Sequence, residues 1–152
     1  MTLENLLRIG KLRAHAVTEV EVRRLLTAAE RAIADAAVAG LSTSSRLDLA
    51  YRAIMQVAQV AMLANGFRPS TGESGHHQVL IQALPKTLGI PVERVRVLEA
   101  FRVARNRIDY DGALASDAMA QECIVESRRL LGDARAWLTG NRPDLLGISA
   151  SQ

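Results

Sequence analysis

The segment RNRIDYDG, residues 105–112, concentrates two arginines, an asparagine, two aspartates and a tyrosine. If the segment ends a helix, side chains three or four positions apart share a face. The resulting polar strip consists of Arg102, Arg105, Asn106 and Asp109. The planar guanidinium of Arg105 suits a carboxylate or a phosphate because it can donate two parallel hydrogen bonds. The structural alternative is a solvated helix end with an Arg105–Asp109 ion pair, a common and weakly stabilising feature.

The segment TGESGHHQ, residues 71–78, places His76 and His77 at the start of a short predicted helix. The N-terminus of a helix favours anions, and a neutral histidine can accept or donate a proton near neutral pH. A metal site needs ligands gathered in a fixed geometry, whereas these histidines are adjacent and Glu73 lies on the loop. No metal ion is therefore expected. A capping histidine beside a packed histidine is the structural alternative.

The segment RLDLAYR, residues 46–52, puts polar side chains on the most apolar predicted helix. Asp48 and Arg52 are four positions apart and can form an ion pair, with Tyr51 beside them. Polar groups on such a helix must find hydrogen-bond partners on another element. Asp48 is therefore a candidate to hold Arg105 in place.

Composition limits the class of protein. A chain of 152 residues fits one domain, and 3% aromatic residues exclude an aromatic base-stacking platform. The net charge is only +3, but the cations are nearly all arginine. The single cysteine, Cys123, excludes an internal disulfide and a multi-cysteine zinc site. We expect a cytoplasmic protein without a membrane segment, since neither a spanning segment nor a signal-peptide pattern is present.

Helical periodicity covers almost the whole chain and predicts no strand. The predicted helices cover residues 3–13, 18–40, 42–66, 76–85, 91–111 and about 116–138. The apolar stripe of the fifth helix includes Val103 or Ala104, and that of the last includes Val125 or Ile124. We expect an all-α, four-helix up-and-down bundle with an extra short helix between the second and third main helices. The core covers about 18–139, and the tail, 140–152, is expected to be loosely ordered.

The segments ARNRIDYDG and GHHQVLIQAL resemble the corresponding parts of HEPN domains (higher eukaryotes and prokaryotes nucleotide-binding), over about residues 19–138. The resemblance implies a four-helix bundle that dimerises. Many members of that family are metal-independent ribonucleases of toxin–antitoxin or phage-defence systems. Their motif is an arginine followed, after four to six residues, by a histidine. Arg105 matches the arginine and Asn106 the polar residue after it, but positions 110–112 hold Tyr110, Asp111 and Gly112.

The resemblance implies an RNA- or nucleotide-binding protein and leaves catalysis open, because the motif histidine is missing. In the catalytic interpretation Arg105 holds phosphate, Asn106 and Asp109 position it, Tyr110 occupies the histidine position and His77 carries the proton. The expected substrate-binding residues are Arg102, His76, Asp48 and Tyr51. No cofactor is expected. The alternatives are a non-catalytic module that partners a nucleotidyltransferase-type protein and a plain helical interaction protein.

Overall fold

The computed structural model describes residues 2–70 and 75–148, and these are mostly helical. The all-α prediction is therefore confirmed as a fold class, apart from one short two-stranded ribbon. In the described ranges, every helix is too short or too polar to cross a membrane. The elements are α1 (Leu3–Arg8), β1 (Leu12–Ala14), α2 (Glu19–Ala36), α3 (Thr43–Ala64), β2 (Phe67–Pro69), α4 (His76–Gln82), α5 (Leu84–Thr87), α6 (Val92–Asp111), α7 (Asp117–Asn141) and a 3-10 helix (Pro143–Leu146).

The long helices begin where capping residues mark a start. Thr18 caps α2 through a reciprocal capping box with Glu21, which satisfies two backbone donors that a helix start leaves without partners. Ser42 and Ser116 accept hydrogen bonds from the first turns of α3 and α7. These three helix starts agree with the sequence prediction because capping depends only on neighbouring residues.

Helix α3 is the centre of the molecule, as its broad apolar surface predicts. It packs against α2 on one side and α7 on the other, and most of its side chains are buried. Burial on nearly all sides explains why its apolar residues are not confined to one stripe. The polar side chains that remain on α3 therefore mark the part of the helix left uncovered by α2 and α7.

Helix α6 packs through a narrower stripe, formed by Val95, Leu98 and Phe101. Ala104 packs against the core whereas Val103 is exposed, and Ile124 of α7 is buried whereas Val125 is exposed. The sequence left open which residue of each pair is buried. The buried one is the residue that faces the neighbouring helices. Gly112, with φ 67°, ends α6 in the left-handed conformation that favours glycine.

A short ribbon contradicts the prediction that the chain has no strand. The first helix ends at Arg8 instead of residue 13, and residues 12–14 pair antiparallel with residues 67–69. Leu12 is buried on one side of the ribbon, opposite Pro69. The pairing joins segments that are distant in sequence, and three-residue strands are too short for a detectable period.

Two predicted helix ends are wrong as well. Helix α2 ends at Ala36, before Gly40, because Ala37 and Val38 already hydrogen-bond in a turn. Pro85 does not stop the helix of the two histidines. It lies in the first turn of the separate helix α5. Backbone N–H groups in a first turn have no partner within the helix, so proline loses no hydrogen bond there.

The C-terminal segment is more ordered than predicted. Helix α7 continues to Asn141, and the 3-10 helix that follows buries Leu145 against α2 and α7. The Arg142 Nη1 atom donates to the Ala64 carbonyl at 3.0 Å, which ties this segment to the end of α3. A single apolar residue after a helix carries no periodic signal. Residues 149–152 of the predicted loose tail lie outside the described residues.

Candidate functional site

A pocket of about 650 Å³ lies on the uncovered side of α3, between β2, α4 and the C-terminal half of α6. Its size is typical of a site for a small ligand. The lining combines cationic, polar and apolar side chains. It consists of Asp48, Tyr51, Arg52, Met55, Gln56, Gln59, Arg68, Pro69, Ser70, His76, His77, Leu80 and Arg105.

Arg105 reaches from α6 to α3, where its Nε atom donates to the Asp48 Oδ1 atom at 2.8 Å. This is the contact expected from the polar residues on α3. Its Nη2 atom also lies 3.8 Å from Asp109 Oδ2, one turn along α6. The hydrogen bond that Arg105 donates to Asp48 raises the pKa of Arg105 above its ordinary value. Arg105 is therefore a permanent cation with a defined orientation.

The pocket carries more positive than negative charge. Asp48 also lies 3.8 Å from Arg52 Nη2, so one carboxylate contacts two guanidinium groups. Arg68 enters from β2, which makes three arginines against one carboxylate in the lining. The Arg105 guanidinium carbon lies 5.4 Å from the centre of the Tyr51 ring, a cation–π contact. This arrangement favours an anionic ligand.

Tyr51 lies against the base of the pocket with its hydroxyl group buried. That hydroxyl has no hydrogen-bond partner among the residues that the structure describes. Burial raises the pKa of Tyr51 to about 12, although the nearby Arg105 and Arg102 charges oppose the increase. The hydroxyl therefore stays protonated at neutral pH and can donate a hydrogen bond, but it cannot act as a base.

The two histidines lie at the start of α4 and face each other edge to face, with ring centres 4.7 Å apart. The His77 ring centre is also 6.1 Å from that of Tyr51. Burial, followed by the charges of His76, Arg105 and Arg102, lowers the pKa of His77 below 6.5. His77 is therefore neutral at pH 7 and able to accept a proton there.

Five of the predicted site residues thus line one pocket. They are Asp48, Tyr51, His76, His77 and Arg105. Asp109 lies next to them, in a smaller cavity of about 210 Å³ that shares Asp48 and Arg105 with the pocket. The three polar segments identified in the sequence therefore meet at Arg105.

The other three predicted residues do not line either cavity. The Nε and Nη2 atoms of Arg102 donate to Glu99 at 3.0 and 2.8 Å, so Arg102 pairs within its own helix. Asn106 is half-buried on the same helix, and Tyr110 is 84% exposed in its last turn. Of the predicted polar strip, Arg105 alone lines the main pocket, because it reaches α3 through its contact with Asp48.

The structure adds three long polar residues to the pocket lining that the sequence interpretation missed. Gln56 and Gln59 continue the line of Asp48 and Arg52 along α3, and their spacing of one helical turn was a usable signal. Arg68 had no such signal, since it belongs to a strand that periodicity did not detect. Its position depends on the pairing of β2 with β1.

Within residues 2–70 and 75–148, no group of three or more His, Cys, Asp or Glu side chains is arranged to hold a metal ion. Glu73 of the predicted histidine loop lies outside the described residues. Cys123 is buried in the core, where burial raises its pKa to about 12. It is therefore a neutral thiol that packs as a small apolar side chain.

Comparison with known proteins adds no family to this description. No family model, curated protein or solved structure that was compared with the chain matches it. The likeness to HEPN domains therefore rests on the quoted sequence segments alone and stays a prediction. The mostly helical fold and the pocket around Arg105 do not depend on that likeness.

Proposed function

We propose that this protein is a HEPN-like RNA- or nucleotide-binding protein and that the pocket around Arg105 holds a phosphate group. The supporting observation is the contact of Arg105 with Asp48 at 2.8 Å in a pocket that also contains Arg52, Arg68 and His77. The proposal includes the four-helix up-and-down arrangement and a homodimer in which two such sites face each other.

The chemistry of the pocket supports a phosphate ligand over a carboxylate or a metal. Three guanidinium groups offer more donors than the single Asp48 carboxylate can accept, and a phosphate provides additional acceptor oxygens. The apolar lining, which includes Met55 and Leu80, suits the sugar and base of a nucleotide.

In the catalytic form of the proposal the protein is a metal-independent endoribonuclease of a toxin–antitoxin or phage-defence system. His77 accepts the proton of a 2′-hydroxyl group, whose oxygen attacks the adjacent phosphorus. The bond from phosphorus to the next 5′-oxygen breaks, a 2′,3′-cyclic phosphate forms and the departing oxygen takes a proton from solvent. The lowered pKa of His77 supports this role, because the base must be neutral at working pH.

A non-catalytic role is the second candidate. The shortest spacing of the motif would place its histidine at position 110, which holds an exposed tyrosine. Leu114, four positions later, is 96% exposed. An exposed apolar side chain next to the motif favours contact with another protein. In this form the chain is a HEPN dimerisation or interaction module whose neighbour is a nucleotidyltransferase-type protein.

The test compares wild-type protein with Arg105→Ala, His77→Ala and the control Arg128→Ala, an exposed arginine on α7. RNA binding and cleavage are measured in EDTA. We expect Arg105→Ala to weaken binding about 10- to 100-fold, the value of a charge-assisted hydrogen bond, and to abolish cleavage. His77→Ala should keep binding and lose cleavage, and Arg128→Ala should behave as wild type.

The outcomes separate the two forms of the proposal. Binding that depends on Arg105 without any cleavage would reject the nuclease and leave the binding protein. Equal binding by wild type and Arg105→Ala would reject the pocket as the phosphate site. Absence of binding to RNA and to nucleotides would reject the proposed function as a whole.

A further inference from the structure

The β1–β2 ribbon places Arg13 directly opposite Arg68. The hydrogen bonds from His15 N to the Gly66 carbonyl and from Ser70 N to the Lys11 carbonyl flank this position in the ladder. In an antiparallel ribbon the side chains of directly opposite residues lie on the same face, with Cα atoms about 5.5 Å apart. The side chains of Arg13 and Arg68 therefore leave the backbone next to each other, on the same face of the ribbon.

That face of the ribbon is cationic. Leu12 is buried on the opposite face, whereas Arg13 is exposed. The cations come from two strands that are distant in sequence, so only the pairing of the strands brings them together. The ribbon thus joins two positive side chains, Arg13 and Arg68.

The pairing of Arg13 with Arg68 destabilises the ribbon when no ligand is bound, because like charges directly across a ribbon repel each other. In the described part of the chain, neither side chain has an ion pair with a carboxylate that would relieve this repulsion. An anionic group bound between them would remove it. The ribbon is therefore suited to bind an anion.

The cationic face continues into the pocket, because Arg68 belongs to both. A single nucleotide in the pocket can reach Arg68, but Arg13 lies beyond it on the neighbouring strand. A chain with repeated phosphates can contact both at once. We propose that the ribbon binds the sugar–phosphate backbone of single-stranded RNA and leads it into the Arg105 pocket, an inference that rests on the proposed function.

A single strand fits this geometry better than a duplex. A pocket of about 650 Å³ takes one nucleotide, which must leave its neighbours to enter. The bases of a duplex are stacked and paired, and extracting one costs free energy. A flexible single strand can place one nucleotide in the pocket while the adjacent phosphates follow the ribbon.

The experiment measures binding of three probes: a labelled single-stranded RNA of about 12 nucleotides, the same RNA paired with its complement, and adenosine 5′-monophosphate. The proteins are wild type, Arg13→Ala, Arg68→Ala and the control Arg128→Ala. We expect Arg13→Ala to weaken single-strand binding about threefold to tenfold and to reduce its salt dependence by about 0.7 in the log–log slope. Arg13→Ala should leave binding of the monophosphate unchanged, whereas Arg68→Ala should weaken both.

Each other outcome has a defined meaning. If Arg13→Ala binds the single strand with wild-type affinity and salt dependence, the ribbon is not a backbone site. If wild type binds the duplex as tightly as the single strand, the preference for a single strand is wrong although the proposed function survives. If wild type binds neither RNA nor the monophosphate, the proposed function itself fails. Arg13 is exposed, so a thermal melt should show Arg13→Ala folded and at least as stable as wild type.

Discussion

At the scale of single residues, the contact between Asp48 and Arg105 orients a side chain more than it stabilises the fold. Both side chains are partly exposed, and ion pairs of that kind contribute about 0–1 kcal/mol. A buried phosphate–arginine hydrogen bond is worth about 1.5–3 kcal/mol. The hydrogen bond to phosphate is therefore stronger than the ion pair with Asp48. Replacement of Arg105 should weaken ligand binding far more than it lowers the free energy of unfolding.

His77 provides a pH-dependent test of the pocket. Its pKa is lowered in the folded protein, so the unfolded state binds its proton more readily. The contribution of neutral His77 to the free energy of unfolding is therefore lost as the pH falls from about 6.5 through the lower pKa of the folded state. We expect the melting temperature of His77→Gln to fall less than that of wild type over this range. Identical pH profiles of wild type and His77→Gln would contradict the prediction.

At the scale of elements, α6 is the helix that carries Arg105, and a largely buried charge cluster attaches it to α7. Arg94 and Glu126 are 12% and 14% exposed, with Arg94 Nε 3.7 Å from Glu126 Oε2. Arg94 Nη1 also donates to Asp133 Oδ2 at 2.6 Å. The apolar stripe of α6 is narrow, so this cluster helps to set where the helix, and with it Arg105, lies against α3.

We expect Arg94→Ala to reduce the free energy of unfolding by about 3 kcal/mol, because it leaves the buried Glu126 carboxylate with only the exposed Arg129, 3.8 Å away, as a cation. The double variant Arg94→Met and Glu126→Gln should recover most of that loss, since the charges that lose their partners, Asp133 and Arg129, are more exposed. Urea denaturation measures both. Arg96→Ala, at an exposed position on the same helix, is the control. A loss in Arg94→Ala no larger than in this control would show that the cluster does not attach α6.

At the scale of the whole molecule, three of the exposed large apolar residues lie in or just after the C-terminal half of α6. Val103, Tyr110 and Leu114 are exposed there, within a few positions of the Arg105 motif. Apolar side chains grouped in this way favour a protein–protein contact. The homodimer proposed above would cover them and bring two Arg105 pockets close together.

The dimer can be tested through Leu114, which is almost fully exposed and so should not affect folding when changed. We expect Leu114→Asp to shift the protein toward monomer, because a dimer would bury the new charge. Sedimentation at several protein concentrations measures the change. Val38→Asp introduces the same charge at an exposed apolar position near the end of α2. Equal dimer fractions in wild type and both variants, or a wild type that is monomeric throughout, would contradict the proposal.

Features that depend on neighbouring residues could be predicted from the amino-acid sequence. Capping by Thr18, Ser42 and Ser116 and the broad apolar surface of α3 are local patterns, so the long helices were predictable. Asp48 was also predictable as a partner for Arg105, because a polar side chain on a largely buried helix needs a hydrogen bond from another element.

Features that depend on which segments meet became visible only in the folded chain. The pairing of β1 with β2 joins distant three-residue segments, so the positions of Arg13 and Arg68 carried no local signal. Leu145 is buried because the 3-10 helix packs against α2 and α7, and Arg102 is held by Glu99 instead of lining the pocket. Local propensity cannot encode such contacts, since their free energy arises from packing between elements.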